Sequence, residues 1–302
     1  MQMSSVFRFG LRRPLQYPYL YAANTNPRIN MKKSLWLLVG LLAFACQSPK
    51  EEAQQAPASP EAETQQAPAR TFPEAMTQVL DAHGGFEKWA KMGTLQYQKG
   101  EGEGAEKHSI DLQSRNVRIE GTGYTIGFDG TDAWLSPAEA EFKGSARFYH
   151  NLYFYFYAMP FVLADPGISY SEVAPLSYEG KDYPGIKISY GDGVGDSPED
   201  NYILYYDPET KQMAWLAYTV TFRTQQESDS YSLIRYPEWQ AVNGLQLPSK
   251  LQWMTYQDGV IGEVRNAVPF VNVRLDQGRP APRLFSKPAD ARVDGMPEAP
   301  KE

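Results

Sequence analysis

Residues 107–130 read KHSIDLQSRNVRIEGTGYTIGFDG, and their spacing decides the fold. His108, Ile110 and Leu112 alternate with polar neighbours; Val117 with Ile119, and Tyr124 with Ile126 and Phe128, repeat the pattern. A period of two marks strands with one buried face. Asp129-Gly130 closes the stretch as a hairpin turn. Downstream the period continues at Ile186, Ile188 and Tyr190. Tyr202–Tyr206 and Met213–Phe222 are predicted as two arms around Asp207-Pro208-Glu209-Thr210. Leu251–Gln257 and Val260–Val264 flank Asp258-Gly259 as another hairpin, and Phe270–Leu275 supplies a last strand. No strand–helix–strand alternation is present, which argues against a parallel α/β sheet. No internal repeat is visible.

Upstream the period lengthens. Thr71 and Glu74 have the spacing of a capping box. Phe72, Ala75, Met76, Val79, Leu80 and His83 then fall on one helical face, with His83 expected to cap the helix or pack under it. Gly84-Gly85 stops this helix, and Phe86, Trp89 and Ala90 begin a short second one. Between the two groups of strands lies Ser145–Asp165. Phe148, Tyr149, Leu152, Tyr153 and Phe156 form a helical stripe, with Phe154, Tyr155 and Tyr157 on other faces. A helix aromatic on nearly all sides is buried on most sides. Pro160 kinks or ends it. The predicted fold is mainly β (α+β): a curved antiparallel half-barrel with an N-terminal helix, its concave face covered by the aromatic-rich helix.

The first 45 residues carry six basic side chains and no acid. From Met31 the order is Met-Lys-Lys, an apolar run Leu35–Phe44, then Ala45 and Cys46. That is a secretory signal, about half the ~20 residues a membrane-spanning helix needs. Leu42-Ala43-Phe44-Ala45-Cys46 resembles the lipobox of bacterial lipoproteins, with Ala43 where Leu is usual. The resemblance implies that Cys46, the only cysteine, becomes the acylated mature N-terminus and that Met31 is the true start. Two or more acyl chains hold a protein stably where one does not. Gln47 lacks the Asp of the common inner-membrane retention cue. Lys50-Glu51-Glu52 reads either as a solvated linker or as a surface-export signal, leaving the periplasmic face and the cell surface both open.

Residues 46–71 are rich in Gln, Ala, Pro and Glu, too poor in large apolar side chains to offset ordering entropy, and read as a disordered tether. The same argument makes 287–302 a disordered tail, so the folded domain is expected at 72–286. The whole chain of 302 residues has net charge −7. Without the first 45 residues, 23 basic residues face 36 acidic ones. A chain this acidic is a poor nucleic-acid binder. One cysteine excludes an intrachain disulfide and a thiolate zinc cluster.

Catalytic motifs are missing: there is no His-Glu-x-x-His, Gly-x-Ser-x-Gly, Walker loop or paired Cys. Gly191–Asp196 reads as a surface loop, and Asp192, Asp196, Glu199 and Asp200 lack EF-hand spacing. Asp81 and His83 are too close in sequence to form a dyad on one helical face. His108 and His150 read as buried imidazoles rather than bases. No metal or cofactor is expected.

Three further runs complete the picture. Asp81-Ala82-His83-Gly84-Gly85 with Trp89 opens the domain. Ile126-Gly127-Phe128-Asp129-Gly130 with Ala133-Trp134 lies mid-sheet, and Val242-Asn243-Gly244-Leu245-Gln246-Leu247-Pro248 comes late. Together they resemble a family of uncharacterised envelope lipoproteins similar in pattern to the lipoprotein-sorting proteins LolA and LolB. The resemblance implies an unclosed antiparallel β-barrel that binds acyl chains in an apolar cavity. The expected function is therefore that of a non-enzymatic, monomeric, outer-membrane-anchored lipoprotein that takes an apolar small molecule or acyl chain. Its cavity would be lined by Phe148, Tyr149, Leu152, Tyr153, Phe156 and Met159, with Trp134 and Trp215 from the sheet. Two other readings stay open: an envelope hydrolase using scattered Asp and His, and a structural or partner-binding module with a filled core.

Overall fold

The computed structural model describes residues 70–190, 199–222, 224 and 226–295. The signal region, Cys46, nearly all of the tether and the glycine-rich 191–196 lie outside the described residues.

Helix α1 (Glu74–Ala82) buries Met76, Val79 and Leu80, the apolar face expected from spacing. The capping box does not form. Pro73 occupies the N-cap position with no side-chain cap, and Thr77 Oγ1 instead donates to the carbonyls of Phe72 and Pro73. Proline's fixed φ suits it to the start of a helix, so the turn begins two residues later than Thr71 would dictate. His83 ends α1, and Gly84 at φ 102 reverses the chain. A Cβ at Gly84 would stand 2.4 Å from the Gly244 carbonyl, so only glycine fits this contact. α2 (Phe86–Ala90) follows and stacks Trp89 on Phe161.

The rest is a single open sheet. The strands are β1 (Thr94–Lys99), β2 (Glu106–Asp111), β3 (Val117–Gly121), β4 (Tyr124–Phe128), β5 (Ala133–Ser136), β6 (Ile168–Tyr178), β7 (Lys181–Tyr190), β8 (Tyr202–Tyr206), β9 (Met213–Tyr218), β10 (Ser232–Val242), β11 (Leu245–Gln257), β12 (Val260–Asp276) and β13 (Arg292–Asp294). All pairings are antiparallel, in the order β13-β5-β4-β3-β2-β1-β12-β11-β10-β9-β8-β7-β6. Two meanders, β1–β5 and β6–β12, are thus joined through β1 and β12. The sheet does not close. It is the curved, mainly β half-barrel that the alternation predicted.

That order fixes the path of the aromatic segment. The chain leaves the sheet at β5, near one edge, and re-enters at β6, the opposite edge. Residues 137–167 must therefore cross from one side of the half-barrel to the other, over its inner face. They do so as α3 (Ala146–Tyr149), α4 (Leu152–Tyr157) and a 3-10 turn at Phe161–Ala164. The single aromatic helix expected from the stripe is thus broken into three short pieces, because side chains on every face must each find a different pocket in a curved wall. Tyr236 donates to the Phe156 carbonyl and Tyr170 to the Leu163 carbonyl. Arg115 grips Asp165 with two bonds of 2.7 and 2.9 Å at the segment's end.

Two other expectations need correction. Phe270–Leu275 is no separate strand but the second half of β12, a single 17-residue strand. The tail does not begin at 287 as a frayed end. Phe285 is buried, its carbonyl accepting from Trp134 Nε1 at 3.3 Å, and Arg292–Asp294 pairs with Ala133–Leu135 as edge strand β13. Composition counts apolar side chains, whereas this segment is held largely by backbone bonds to an edge that needs a partner. Among the described residues no helix is long and apolar enough to cross a membrane.

Candidate functional site

The inner face of β1 and β2 changes character along its length. The register pairs Leu95 with Ile110, then Tyr97 with His108, then Lys99 with Glu106. Pairs directly opposite on one face touch, so two in-register strands carry an apolar pair, a ring pair and an ion pair in succession. All three lie under the crossing segment.

The charged end is dense. Lys99 Nζ stands 2.8 Å from Glu106 Oε2, with side-chain exposures of 13% and 7%. His108 Nε2 is 3.1 Å from the same oxygen. Tyr149 donates to Glu106 at 2.8–2.9 Å and accepts from Lys99, and Tyr124 donates to Glu106 Oε1 at 2.5 Å. Lys99 also lies 4.1 Å from the centre of the Tyr153 ring, a cation–π contact. Burial by itself would raise the Glu106 pKa, but the bond from His108 and the charge of Lys99 outweigh it and hold the carboxyl well below the usual range. Burial lowers Lys99 and His108 despite Glu106 beside them. The cluster is an ammonium, a carboxylate and a neutral imidazole, with no net charge.

The ring pair is different. His108 is fully buried and stacks on Tyr97 at 4.7 Å and 18°. Tyr157 packs on Tyr97 at 4.4 Å, and Phe270 closes against both tyrosines. The hydroxyls of Tyr97 and Tyr157 and Nδ1 of His108 have no hydrogen-bond partner among the described residues. Each such buried group costs about 1–3 kcal/mol, and native cores hold few of them. Three of the eleven such side-chain atoms among the described residues belong to this one run of packed rings.

The residues nominated from sequence are partly gathered here. Phe148, Tyr149, Leu152, Phe156 and Met159 are buried in the inner core, and Tyr153 packs against it. Phe156 touches Tyr218 and Trp253, and Phe148 touches Phe222. Both tryptophans nominated from the sheet are apart from them. Trp215 belongs to a second cluster with Leu176, Tyr205, Ala217, Leu233 and Met254. Trp134 is buried but stands outside the inner cluster, against Phe285 and over Gly127, where a Cβ would come within 2.1 Å of its ring. On β5 Leu135 points inward, so alternation sends Trp134 the other way.

Sequence reading missed Lys99, Glu106, Tyr97 and Tyr124. The signal was present: Glu106 precedes the inward His108 by two residues, and Lys99 follows Leu95 by four on a strand. The pairing that brings the two strands together was not visible. His83 and His150 are buried, as read. His83 bonds the Val79 carbonyl at 2.7 Å, and burial lowers its pKa to about 4 despite that bond. His150 stacks on Phe128, and burial, helped by Arg147, lowers it to about 3. Asp81 is exposed, apart from His83 in environment. Asp200 accepts from the amide and hydroxyl of Thr221. Among the described residues no three His, Cys, Asp or Glu side chains are grouped to hold a metal.

Residues 138–236, about a third of the chain and including the whole of α3, α4 and their turn, match the model of a family of unknown function, DUF6503. No curated protein matches the chain. Among solved structures, it is similar to a LolA superfamily protein from Nitrosomonas europaea, at 12% identity and a TM-score of 0.40, over 64% of this chain and 88% of that one. A DUF1329 family protein from Desulfovibrio piger is similar at 10% identity and a TM-score of 0.42, over 71% and 98%. A domain from Vibrio parahaemolyticus assigned to outer-membrane lipoprotein sorting is similar at 10% identity and a TM-score of 0.32, over 67% and 94%.

Proposed function

We propose that this protein is an outer-membrane lipoprotein, anchored by acyl chains on Cys46, whose half-barrel binds an apolar ligand such as an acyl chain without catalysis. One observation carries the reading. The inner face is lined mostly by apolar side chains, yet the packed rings of His108, Tyr97 and Tyr157 beneath the crossing segment carry three buried polar atoms with no protein partner among the described residues. An apolar chamber with a few convergent polar groups is the usual form of a small-molecule site. The crossing segment suits a cover: three short pieces joined by turns, pinned at Phe156, Leu163 and Asp165. A hydrolase is less well supported, since His108 Nδ1 has no nucleophile within bonding reach among the described residues and such a base needs one.

A filled core is the competing reading, and the near-complete burial of residues 154–164 favours it. Tyr153→Ala and Phe156→Ala separate the two. In a filled core Phe156→Ala is expected to cost about 3–5 kcal/mol. In a site that opens to its ligand, stability falls less while uptake of a fluorescent fatty acid drops. Absence of uptake by the unaltered protein, with no lipid found in it by native mass spectrometry, would refute ligand binding. Mass spectrometry of membrane-extracted protein tests the anchor: an unmodified Cys46, or a mature chain starting elsewhere, would refute it.

A further inference from the structure

We propose that Tyr97, Tyr157 and His108 form a socket for a neutral, hydroxyl-bearing head on the apolar ligand, of the fatty-alcohol or monoacylglycerol class, in preference to a carboxylate or phosphate. The proposal rests on the reading of the inner face as an apolar-ligand site and adds the chemistry of the ligand's polar end.

Glu106 fixes the tautomer of His108. Its carboxylate is an acceptor only, so the imidazole nitrogen 3.1 Å away, Nε2, must carry the proton. The ring is neutral, so Nδ1 presents a lone pair with no donor opposite it. That atom asks for a donor. The hydroxyl of Tyr97, on the ring stacked on His108, and that of Tyr157, on the ring packed on Tyr97, can each donate or accept. An alcohol brings one donor and two acceptor lone pairs, the complement of such a set.

Charge argues in the same direction. Lys99, which shares Glu106 with His108, is already committed to Glu106 and Tyr149. A ligand carboxylate would meet the Nδ1 lone pair, stand near the Glu106 charge and find no free cation. The Phe270 ring, in contact with both tyrosines, offers only apolar surface to the remainder of the ligand.

The test uses the full chain and matched sixteen-carbon competitors displacing the neutral probe N-phenyl-naphthylamine: hexadecane, hexadecanol, monopalmitoylglycerol and palmitate. Hexadecanol and monopalmitoylglycerol are expected to displace the probe at concentrations ~10-fold or more below those of palmitate and hexadecane, the size of one hydrogen bond's worth of selectivity. Tyr157→Phe and Tyr97→Phe keep the rings and delete hydroxyls that have no protein partner among the described residues, so both variants are expected to fold, and the probe's own affinity is measured in each before the competitors are added. Each should remove most of the preference for alcohols. Equal displacement by all four competitors, or a preference untouched in both variants, overturns the socket and leaves the apolar site standing. Failure of the unaltered protein to take up the probe or any competitor overturns the apolar site itself.

Discussion

Replacing Glu106 by Gln tests whether the inner face truly holds a charged cluster. The carboxylate accepts from Tyr124, Tyr149, Lys99 and His108. A carboxamide keeps an oxygen for the two tyrosines, but its amide group must then face Lys99 Nζ at 2.8 Å and His108 Nε2 at 3.1 Å, donor against donor. The ammonium is left 13% exposed with no countercharge. Breaking one side of a buried pair costs about 3–5 kcal/mol, and at ~2–4 °C per kcal/mol for a domain this size the melting temperature should fall by roughly 6–20 °C. Adding Lys99→Met removes the orphaned charge. The double variant is expected to recover most of the loss, since a buried ion pair and an apolar replacement are often close in stability. Urea unfolding followed by tryptophan fluorescence at neutral pH supplies both numbers. A loss under about 1 kcal/mol for Glu106→Gln, or a double variant no more stable than the single one, would refute the charged, buried cluster.

Stability should fall as the medium is acidified. His83 and His150 titrate in the folded state at about 4 and about 3, lowered by burial, while in the unfolded chain they titrate near ~6.5. Only the unfolded state takes up these protons below ~6.5, so each histidine favours unfolding ~10-fold per pH unit down to its folded value. Glu106, with its folded pKa depressed, adds a loss of the same sign below ~4.3. A urea midpoint unchanged between pH 7 and pH 4.5 would refute the histidine burial. Gly127→Ala places a methyl 2.1 Å from the Trp134 ring; it is expected to cost about 1–3 kcal/mol by overpacking, and an unchanged midpoint would contradict that contact. A chain ending at Lys287 loses the pairing of β13 with β5; light scattering should show more aggregation than for a chain ending at Gly295, and equal behaviour would deny that strand a protective role.

The sequence by itself determined the local elements. Period-two runs such as Tyr124, Ile126 and Phe128 became strands because a strand sends alternate side chains to opposite faces whatever its partner. Gly84-Gly85 ended α1 because both residues take positive φ, which side chains disfavour, and at Gly84 the Gly244 carbonyl leaves no room for a Cβ. The burial of the aromatic segment followed from having no polar face to give to water. What the tertiary structure decided was who stands opposite whom. Lys99 and Glu106 are seven residues apart around a glycine-rich turn, and only the register of β1 on β2 sets them face to face. Tyr157 reaches Tyr97 only because the chain leaves the sheet near one edge, returns at the other, and must cross between them. Trp134 and Trp215, apolar like the rest, ended outside the inner cluster through the parity of their positions on β5 and β9. Periodicity fixes that a side chain faces one way or the other. Which way is inward depends on the curvature of a sheet assembled from strands far apart in the chain, and no local run of residues encodes that curvature.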